Sequence, residues 1–389
     1  MAQRRTIAVV MFTYMTCYRE MLRGVNAFAH TKPSWQVHFF TPTDNYVRLI
    51  QRHQADGLLL GPLTDFEPGK RAVAGVRHAV GLCGGHHAFG IERIAQFESD
   101  DAHVGQVAAQ YFLQKGYRQF AFVGDGRLWS RLRAQGFEQE VNKAGMNCAV
   151  LMQEWEAVSA GRGWDDVDRA GQLIAWLRTL PRPLALLACN DIRGRVVTQV
   201  CRNEGIRVPE DVAILGVDND DLDCELSDPP LSSVAIPWRR IGYDAASLLD
   251  RMIEGEPVEP EIIWVPPVGV VERQSTDSIA ISDPDVVAAI RFIREHAHER
   301  IGVEDVLRAV PVGRRSLEKR FQTILRRTPL EEIRRAHVER AKMLLATTDL
   351  PIRDVARESG FGRSTWFTEA FHDIVGDSPA RYRKQYQGT

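Results

Sequence analysis

The sequence predicts an α/β protein with a two-lobed domain of doubly wound parallel sheets, followed by an all-α domain of two tandem helix-turn-helix motifs. Over residues 6–276, short β-branched runs alternate with amphipathic stretches, which is typical of parallel sheets covered by helices on both faces. From Asp283 onward the strand signals stop. Apolar and turn residues then recur at intervals of 49 or 50 residues, which indicates a duplicated helical motif.

Eight strands are expected in the α/β part, each from a short apolar or β-branched run. They are Thr6–Phe12, Val37–Phe40, Gly57–Gly61, Ala79–Cys83, Phe120–Gly124, Leu184–Ala188, Val212–Val217 and Ser233–Ile236. Amphipathic stretches between them predict helices, among them Ala102–Lys115, Leu132–Ala144, Asp166–Leu180 and Ile192–Glu204. So many strand–helix units exceed one small sheet with its helices, and we therefore expect two lobes.

The domain boundaries follow from the change of pattern near Asp283. Asp283-Pro284 is typical of a helix N-cap followed by proline at the first helical position. We expect the two-lobed domain over residues 1–276, a linker over 277–285 and the helical domain over 286–389.

Each predicted helix-turn-helix motif has a short helix, a turn and a longer second helix. The motifs span residues 303–325 and 352–374, and each is followed by Thr-Pro or Ser-Pro, which starts the next helix. The helix between them, Pro329–Ala346, is about 27 Å long at 1.5 Å per residue. This spacing brings both second helices within reach of adjacent major-groove segments, which lie about 34 Å apart on B-DNA.

Composition and charge narrow the class of protein. The chain has 389 residues, of which 44% are hydrophobic and 26% are charged, and no segment approaches the length of a membrane helix. Six scattered cysteines without metal-ligand spacing favour free thiols in a reducing cytoplasm over a disulfide framework or a zinc module. We expect no metal and no cofactor. The net charge of −2 divides into +6 over residues 286–389 and −8 over the rest, so the helical end is suited to a polyanion.

The second helix of the first motif carries the residue types that bind DNA. It runs from about Arg314 to Leu325 and buries Leu317, Phe321 and Ile324. Arg314, Arg315 and Ser316 stand at its N-terminal end, where arginine can bind guanine in bidentate fashion. Lys319 and Arg320, with Arg326 and Arg327 after the helix, are expected to contact phosphates. The alternative is a solvated basic face.

Residues 290–385 resemble the AraC-type DNA-binding domain. The resemblance rests on the motif Gly360-Phe361-x-x-Ser364-x-x-Phe367-x-x-x-Phe371-x4-Gly376-x-Ser378-Pro379-x-x-Tyr382-Arg383. It implies that the second motif also contacts DNA, with Arg363, Ser364, Thr365 and Thr368 as its expected contacts. This copy departs from the family where Glu369, His372 and Asp373 replace basic side chains. We therefore expect the first motif to supply most of the binding energy.

The first 276 residues resemble the LacI-type effector domain, which has the type I periplasmic-binding-protein-like fold. The resemblance rests on Arg131-Leu-Arg133-Ala-x-Gly136-Phe137, Ala188-Cys-Asn190-Asp191, Ile206-x-Val208-Pro209-Glu210-Asp211-Val212-Ala213-Ile214-Leu215-Gly216-Val217-Asp218-Asn219 and Pro230-Leu231-Ser232-Ser233-Val234. LacI proteins begin with their own helix-turn-helix, whereas this sequence starts at its first strand, so DNA reading is expected at the C-terminal end. The fold implies a small polar ligand held in a cleft between the lobes, at the carboxyl ends of the strands.

The candidate effector-binding residues stand at predicted strand ends and helix starts. They are Tyr18, Arg19, Asp100 (with Asp101 beside it), Trp129, Arg133, Trp164, Asn190, Asp191 and Asp218. Carboxylates, an amide and a guanidinium can hydrogen-bond vicinal hydroxyls, and an indole can cover the apolar face of a sugar ring. The resemblance favours Arg133, Asn190 and Asp218. Apart from the resemblance, Trp164 is preferred to Trp155 as a further aromatic wall. Asp191 has a structural alternative as the N-cap of the helix at Ile192, and each tryptophan has one as a core residue.

The order of the two modules resembles the subgroup of xylose operon regulators. This resemblance implies a sugar-responsive activator of pentose catabolism genes, with D-xylose as effector, a double-stranded DNA operator, a homodimer and a possible contact with RNA polymerase. Sugar would close the lobes and reposition two DNA-binding domains on tandem half-sites. Another sugar or a purine remains open as effector. A sugar-metabolising enzyme with a helical tail is disfavoured, because GxGxxG, Walker A, GxSxG and HExxH motifs are absent, and the His86-His87 pair does not indicate a metal site.

Overall fold

A computed structural model describes residues 4–43, 45–63, 65–84, 90–91, 94–153, 167–277, 283–325, 327–348, 350–362 and 364–387. The strands are β1 (Arg5–Val10), β2 (Trp35–Phe40), β3 (Gly57–Leu60), β4 (His78–Leu82), β5 (Ala95–Ser99), β6 (Gln119–Gly124), β7 (Cys148–Met152), β8 (Leu184–Ala188), β9 (Val212–Val217), β10 (Ser232–Ala235), β11 (Ile262–Val265) and β12 (Gly269–Val271). The helices before residue 280 are α1 (Thr16–His30), α2 (Tyr46–Arg52), α3 (Phe66–Ala74), α4 (Asp101–Gln114), α5 (Leu128–Lys143), α6 (Val167–Thr179), α7 (Asp191–Asn203), α8 (Asp221–Leu226) and α9 (Trp238–Ile253).

Seven further helices follow in the C-terminal part of the chain. They are α10 (Pro284–Glu295), α11 (Val303–Ala309), α12 (Arg314–Leu325), α13 (Pro329–Thr347), α14 (Ile352–Glu358), α15 (Ser364–Val375) and α16 (Pro379–Gln387). None of the helices in the described part of the chain has the length and apolar character needed to cross a membrane.

The first compact unit contains residues Met1–Asp100 and Pro237–Pro266. Its six-stranded sheet has the order β11-β5-β4-β3-β1-β2, and all neighbouring strands are parallel. The interior strand β3 is fully buried and reads Gly-Leu-Leu-Leu, whereas the edge strand β2 leaves Val37 and Phe39 exposed. The sheet therefore shows the continuous apolar strands of a parallel sheet covered on both faces.

The second compact unit contains residues Asp101–Ile236 and Pro267–Tyr386. Its six-stranded sheet has the order β12-β10-β9-β8-β6-β7, and only the edge strand β12 runs antiparallel to its neighbour. The helices after Asp283 belong to this same unit, so the compact units do not follow the three-part division expected from the sequence. That division stays a prediction.

Helices α4 and α5 lie unusually close together because two glycines face each other's backbone. An added Cβ at Gly105 would lie 2.1 Å from the carbonyl oxygen of Arg133, and one at Gly136 would lie 1.9 Å from that of Ala102. Such distances are far below van der Waals contact, so this helix crossing requires glycine at both positions.

The helical domain contains two small apolar cores joined by α13. Leu317 and Phe321 of α12 pack into the first core, and Phe367 and Phe371 of α15 pack into the second. Helix α13 contributes to both, with Ile333 in the first and Val338, Ala341 and Leu345 in the second. Its start is stabilised by a capping box in which Thr328 and Glu331 exchange hydrogen bonds.

Most of the predicted elements are confirmed. All eight expected strands form, with ends that differ by at most two residues, and the second helices of both helix-turn-helix motifs lie as expected. Asp283 caps α10 by accepting hydrogen bonds from the amides of Asp285 and Val286. Helix α5, however, begins at Leu128 and not at Leu132. Its N-cap residue, Arg127, provides no side-chain cap, so the sequence carries no signal for this start.

Four strands were not expected from the sequence: β5, β7, β11 and β12. Strand β5 reads Ala-Gln-Phe-Glu-Ser, and its polar residues hide the apolar run on which strand prediction depends. Strand β12 is three residues long, which is too short to give a periodic signal.

We expect Gly136→Ala to lower the free energy of unfolding by about 1–3 kcal/mol or more, because α4 and α5 must separate to admit the methyl group. Gly171→Ala is the matched control, since Gly171 lies exposed on α6 with open space at its Cβ position. The control should instead stabilise the protein by up to about 1 kcal/mol. Urea unfolding measures both, and equal effects would show that the helix crossing tolerates a side chain.

Candidate effector site and candidate DNA-binding surface

The centre of the candidate effector site is the buried guanidinium of Arg133 on α5. Its Nε donates to Oδ1 of Asp101, the first residue of α4, at 2.8 Å. Its Nη1 donates to the carbonyl oxygen of Cys189 at 2.6 Å, and its Nη2 lies 3.6 Å from Oδ1 of Asp218. Arg133 therefore joins a backbone carbonyl that follows β8, a carboxylate that follows β9 and a carboxylate at the start of α4.

Asp218 is the carboxylate at this site with unused hydrogen-bonding capacity. Its Oδ1 is buried and accepts no hydrogen bond from the described residues. Burial raises the pKa of Asp218 to about 7, against the lowering effect of Arg133. Burial also opposes the charge of Arg133, but the carboxylates of Asp101 and Asp218 raise its pKa above the ordinary value. The guanidinium thus stays charged beside a carboxylate that titrates near neutrality.

The backbone at Asp218 is strained. Asp218 has φ of 106° and Asn219 has φ of 54°, in the left-handed region that side chains other than glycine rarely adopt. Such conformations cost of order 1–3 kcal/mol each and are concentrated at functional sites, where they aim a side chain at a ligand.

Asn190 and Asp191 act mainly inside the protein's own structure. Asn190 is the N-cap of α7, and its Oδ1 accepts from the amide of Arg193 at 2.9 Å. The suggestion that Asp191 caps this helix is therefore wrong. Asp191 accepts from Ser233 Oγ at 2.6 Å and from the amide of Asp220 at 2.7 Å, so it joins the segments that follow β9 and enter β10. Burial and the charge of Asp218 raise its pKa well above the ordinary value.

Trp129 lies beside the guanidinium and is half-buried. The Cζ atom of Arg133 lies 4.8 Å from the centre of its ring, and that of Arg127 lies 5.7 Å away. The indole therefore packs against the guanidinium groups of Arg127 and Arg133. Trp155, Trp164, His86 and His87 lie outside the described residues.

The remaining predicted effector residues lie in the first compact unit. The ring of Tyr18 packs 5.6 Å from that of Tyr14 and 6.5 Å from that of Phe12. Arg19 is tied to the start of α1, since it donates to the carbonyl oxygen of Thr13 at 2.9 Å and to Thr16 Oγ1 at 2.6 Å. Asp100 is half-buried, and its amide donates to the carbonyl oxygen of Val265 at 2.9 Å.

Sequence reasoning ranked Asp100 above its neighbour, but Asp101 is the one that bonds Arg133. It also missed Ser233 as the partner of Asp191. The position of Asp101 directly before the predicted helix Ala102–Lys115 was readable from the sequence. Its pairing with Arg133 was not, because that contact depends on how closely α4 and α5 approach.

In the first helix-turn-helix, three basic side chains of α12 are exposed to solvent. Arg315 and Lys319 are exposed, stand four residues apart on one face, and bond no other described side chain. Arg314 is also exposed but is paired with Glu304 at 2.7 Å and with Glu318 at 3.1 Å. Ser316 is half-buried.

Arg320 is engaged within the helical domain. Its Nη1 lies 3.0 Å from Oδ1 of Asp283 and 2.7 Å from Oδ2 of Asp285. Arg327 is likewise paired, with Glu332, and Arg326 lies outside the described residues. These pairings make Arg320 and Arg327 weaker candidates for phosphate contact than Lys319.

The second helix-turn-helix has the same fold but the opposite charge. Helix α12 carries a net charge of +3, whereas α15 carries −2 from Glu369 and Asp373. Thr365 and Thr368 are exposed on α15, and Ser364 is its first residue. Arg363 lies outside the described residues.

Two parts of the chain match models of known domain families. Residues 109–276 match the periplasmic binding protein-like domain, and residues 306–385 match a helix-turn-helix domain. These matches cover the sheet-forming part of the second compact unit and most of the helical domain.

Similarity over most of the chain is found to xylose operon regulatory proteins. The chain is 33% identical over 374 residues to the xylose operon regulatory protein of Escherichia coli strain K12, covering 94% of this chain and 93% of that protein. It is 32% identical to the xylose operon regulatory protein of Haemophilus influenzae, with 73% of each chain covered. A solved structure of the xylose-binding transcription activator xylR has a TM-score of 0.61 and 30% identity, with 98% of each chain covered.

The raised pKa of Asp218 has a testable consequence for stability. Between its ordinary value of 3.8 and about 7, the folded protein holds a proton that the unfolded chain releases, so the contribution of Asp218 to stability falls as pH rises. Asp218→Asn removes this effect. We expect the variant to gain stability relative to wild type between pH 5 and pH 8, by more than about 1 kcal/mol.

The matched control is Asp221→Asn, which changes an exposed carboxylate three residues away. Unfolding midpoints of the three proteins, measured across the pH range, test the expectation. A difference between wild type and Asp218→Asn that does not change with pH would contradict it.

Proposed function

Because the chain belongs to the family of xylose operon regulatory proteins, we propose that it binds D-xylose and, in response, activates genes for pentose catabolism. It is a DNA-binding transcription regulator with a sugar-binding effector domain, and its relatives are regulators and not enzymes. What we propose is the identity of the effector and the residues that bind sugar and DNA.

The observation that carries the sugar proposal is the buried Oδ1 of Asp218, which accepts no hydrogen bond from the described residues. A buried acceptor without a donor is costly, and a ligand hydroxyl would supply the missing donor. Arg133 lies 3.6 Å from the same oxygen and can donate to a ligand oxygen. Two hydroxyls on adjacent carbons suit this pairing of an acceptor and a donor. Trp129, beside Arg133, supplies an apolar ring surface.

The DNA-binding proposal centres on Arg315 and Lys319. Their exposure on the second helix of a helix-turn-helix suits entry into the major groove, with Arg315 near the N-terminal end, where base edges are read. Arg314 and Arg320 would first have to leave their acidic partners. Because α15 is acidic, we propose that the first helix-turn-helix supplies most of the affinity for DNA, while Ser364, Thr365 and Thr368 make weaker polar contacts.

We further propose that the regulator acts in the cytoplasm as a homodimer on two half-sites, and that it contacts RNA polymerase. Sugar binding would change DNA affinity by about 5–150-fold, the range given by coupling free energies of about 1–3 kcal/mol. Such coupling requires the sugar to prefer one of two conformations.

Calorimetric titration with D-xylose, beside L-arabinose, D-ribose, D-glucose and a purine, tests the effector. We expect D-xylose to bind wild type and Asp221→Asn equally. Asp218→Asn should lose about tenfold or more, since hydrogen bonds to charged groups contribute about 1.5–3 kcal/mol. The same variant is expected to be more stable at pH 8, so a loss of binding cannot be attributed to unfolding. Binding of another compound in place of D-xylose would refute the assigned effector.

DNA binding is tested with a duplex that the wild-type protein selects from a random pool. We expect Arg315→Ala to weaken binding by about 1–3 kcal/mol and relax base preference, and Lys319→Ala to weaken all sequences similarly and reduce the salt dependence. Thr365→Ala should have a smaller effect. Arg202→Ala, an exposed arginine on α7, is the control. Equal losses for Arg315→Ala and Thr365→Ala would show that the two motifs share the binding energy.

A further inference from the structure

The carboxylate of Glu272, just after β12, joins the second sheet to the helical domain. Its Oε1 pairs with Nζ of Lys115, which follows the last residue of α4, and lies 3.3 Å from Nη1 of Arg294 on α10. Lys115 is fully buried, and its ammonium also donates to the carbonyl oxygen of Thr276. One carboxylate thus holds one cation from the effector lobe and one from the DNA-binding helices.

A second contact attaches the other end of the helical domain to the same short segment. The hydroxyl of Tyr382 on α16 donates to the carbonyl oxygen of Val268 at 3.0 Å. The side chain of Val268 packs against the apolar core that contains Phe371 and Tyr382. The segment from Val268 to Glu272 is therefore held at both ends by the DNA-binding domain.

Helix α4 connects this attachment to the candidate effector site. Its first residue, Asp101, bonds Arg133, and Tyr111 near its last turn bonds Thr276 Oγ1 through its hydroxyl at 2.7 Å. The helix has 14 residues and spans about 20 Å at 1.5 Å per residue. Gly105 and Gly136 bring its backbone directly against that of α5, so the helix cannot move away from Arg133 without breaking this packing.

A second connection runs through β10. Ser233 bonds Asp191 in the candidate effector site, and its neighbour Ser232 bonds Thr276 Oγ1 at 2.6 Å. The hydroxyl of Thr276 therefore hydrogen-bonds to both connections, to β10 through Ser232 and to α4 through Tyr111.

We propose that Glu272 and Arg294 are positioning residues that transmit sugar binding to the DNA-binding helices, with α4 as the rigid connection. The inference rests on the proposed function, because it needs a sugar that acts on Arg133 and Asp218. A buried lysine without its partner is strongly unfavourable, so Glu272 must follow Lys115 when α4 moves. Arg294 shares that carboxylate, and α10 is drawn along with it.

Removal of Glu272 would leave Lys115 buried and uncompensated, so the test removes the contacts on the DNA-binding side. Arg294→Gln and Tyr382→Phe each break one contact while Lys115 and Glu272 remain paired. The two variants and their combination are made in the full chain. Arg291→Gln, an exposed position on the same helix, is the matched control, and Arg294→Lys is the conservative variant.

The measured quantity is the ratio of DNA affinities with and without saturating D-xylose. We expect the control and Arg294→Lys to keep the wild-type ratio, each single variant to reduce it at least about threefold, and the double variant to bring it near one. Calorimetric affinity for D-xylose should stay within about twofold throughout. A purely structural role would lower the unfolding midpoint and leave the ratio unchanged.

The outcomes separate the two proposals. A wild-type ratio above about five that persists in the double variant overturns the transmission through Glu272 and Arg294 and leaves the proposed function intact. A wild-type ratio of one, with D-xylose bound, refutes sugar control of DNA affinity and the transmission together. Hydrogen exchange at the amides of β12 and α10, measured without sugar, reports how firmly the helical domain is held against the second sheet. If both contacts hold the domains together, the exchange rate should rise only in the double variant.

Discussion

The close crossing of α4 and α5 is the constraint on which the second compact unit depends. Two glycines allow the helix backbones to approach until an added Cβ would lie 2.1 Å or less from a carbonyl oxygen. This proximity lets Arg133 on one helix reach Asp101 at the start of the other. Without it, the buried guanidinium would lose the carboxylate that accepts a hydrogen bond from its Nε, which is strongly unfavourable. The ion pair at the candidate site therefore depends on the close packing of the two helices.

The first compact unit contains the same device. Gly24 of α1 and Gly242 of α9 would each place a Cβ 1.9 Å from a backbone carbonyl oxygen of the other helix. Among the described residues, it is the crossing of α4 and α5 that carries the buried ion pair between Asp101 and Arg133. The shared packing thus belongs to the fold, whereas the charges at one crossing belong to the site.

What the sequence could predict depended on how local the signal was. The duplicated helix-turn-helix was predictable because Phe321 and Phe371, and the Thr-Pro and Ser-Pro pairs after them, recur at 50 residues. The buried strands were predictable from continuous apolar runs such as Val212–Val217. Strand β5 was missed because Gln96 and Glu98 interrupt its apolar pattern. Arg133 and Asp218 were chosen through a family resemblance, and their 3.6 Å contact depends on segments far apart in the chain.

The same limit explains why the sequence predicted DNA contacts for Arg314 and Arg320 as well as for Arg315. All three are arginines on one basic helix, but only the fold brings Glu304 to Arg314, and Asp283 and Asp285 to Arg320. Opposite charges from other helices thereby reduce the number of basic side chains available to DNA. Net charge alone therefore overestimates how many contacts α12 can make.

The strength of the contacts around Glu272 is matched to a regulatory role. Single hydrogen bonds and partly exposed ion pairs contribute about 1 kcal/mol each. The attachments described here, through Arg294 and Tyr382, together lie near the 1–3 kcal/mol typical of allosteric coupling. A sugar that favours one arrangement by that amount could shift the docking of the DNA-binding helices. The apolar cores on either side contribute far more stability than a small ligand can supply, so the polar junction between them is the part of the second compact unit that sugar binding can rearrange.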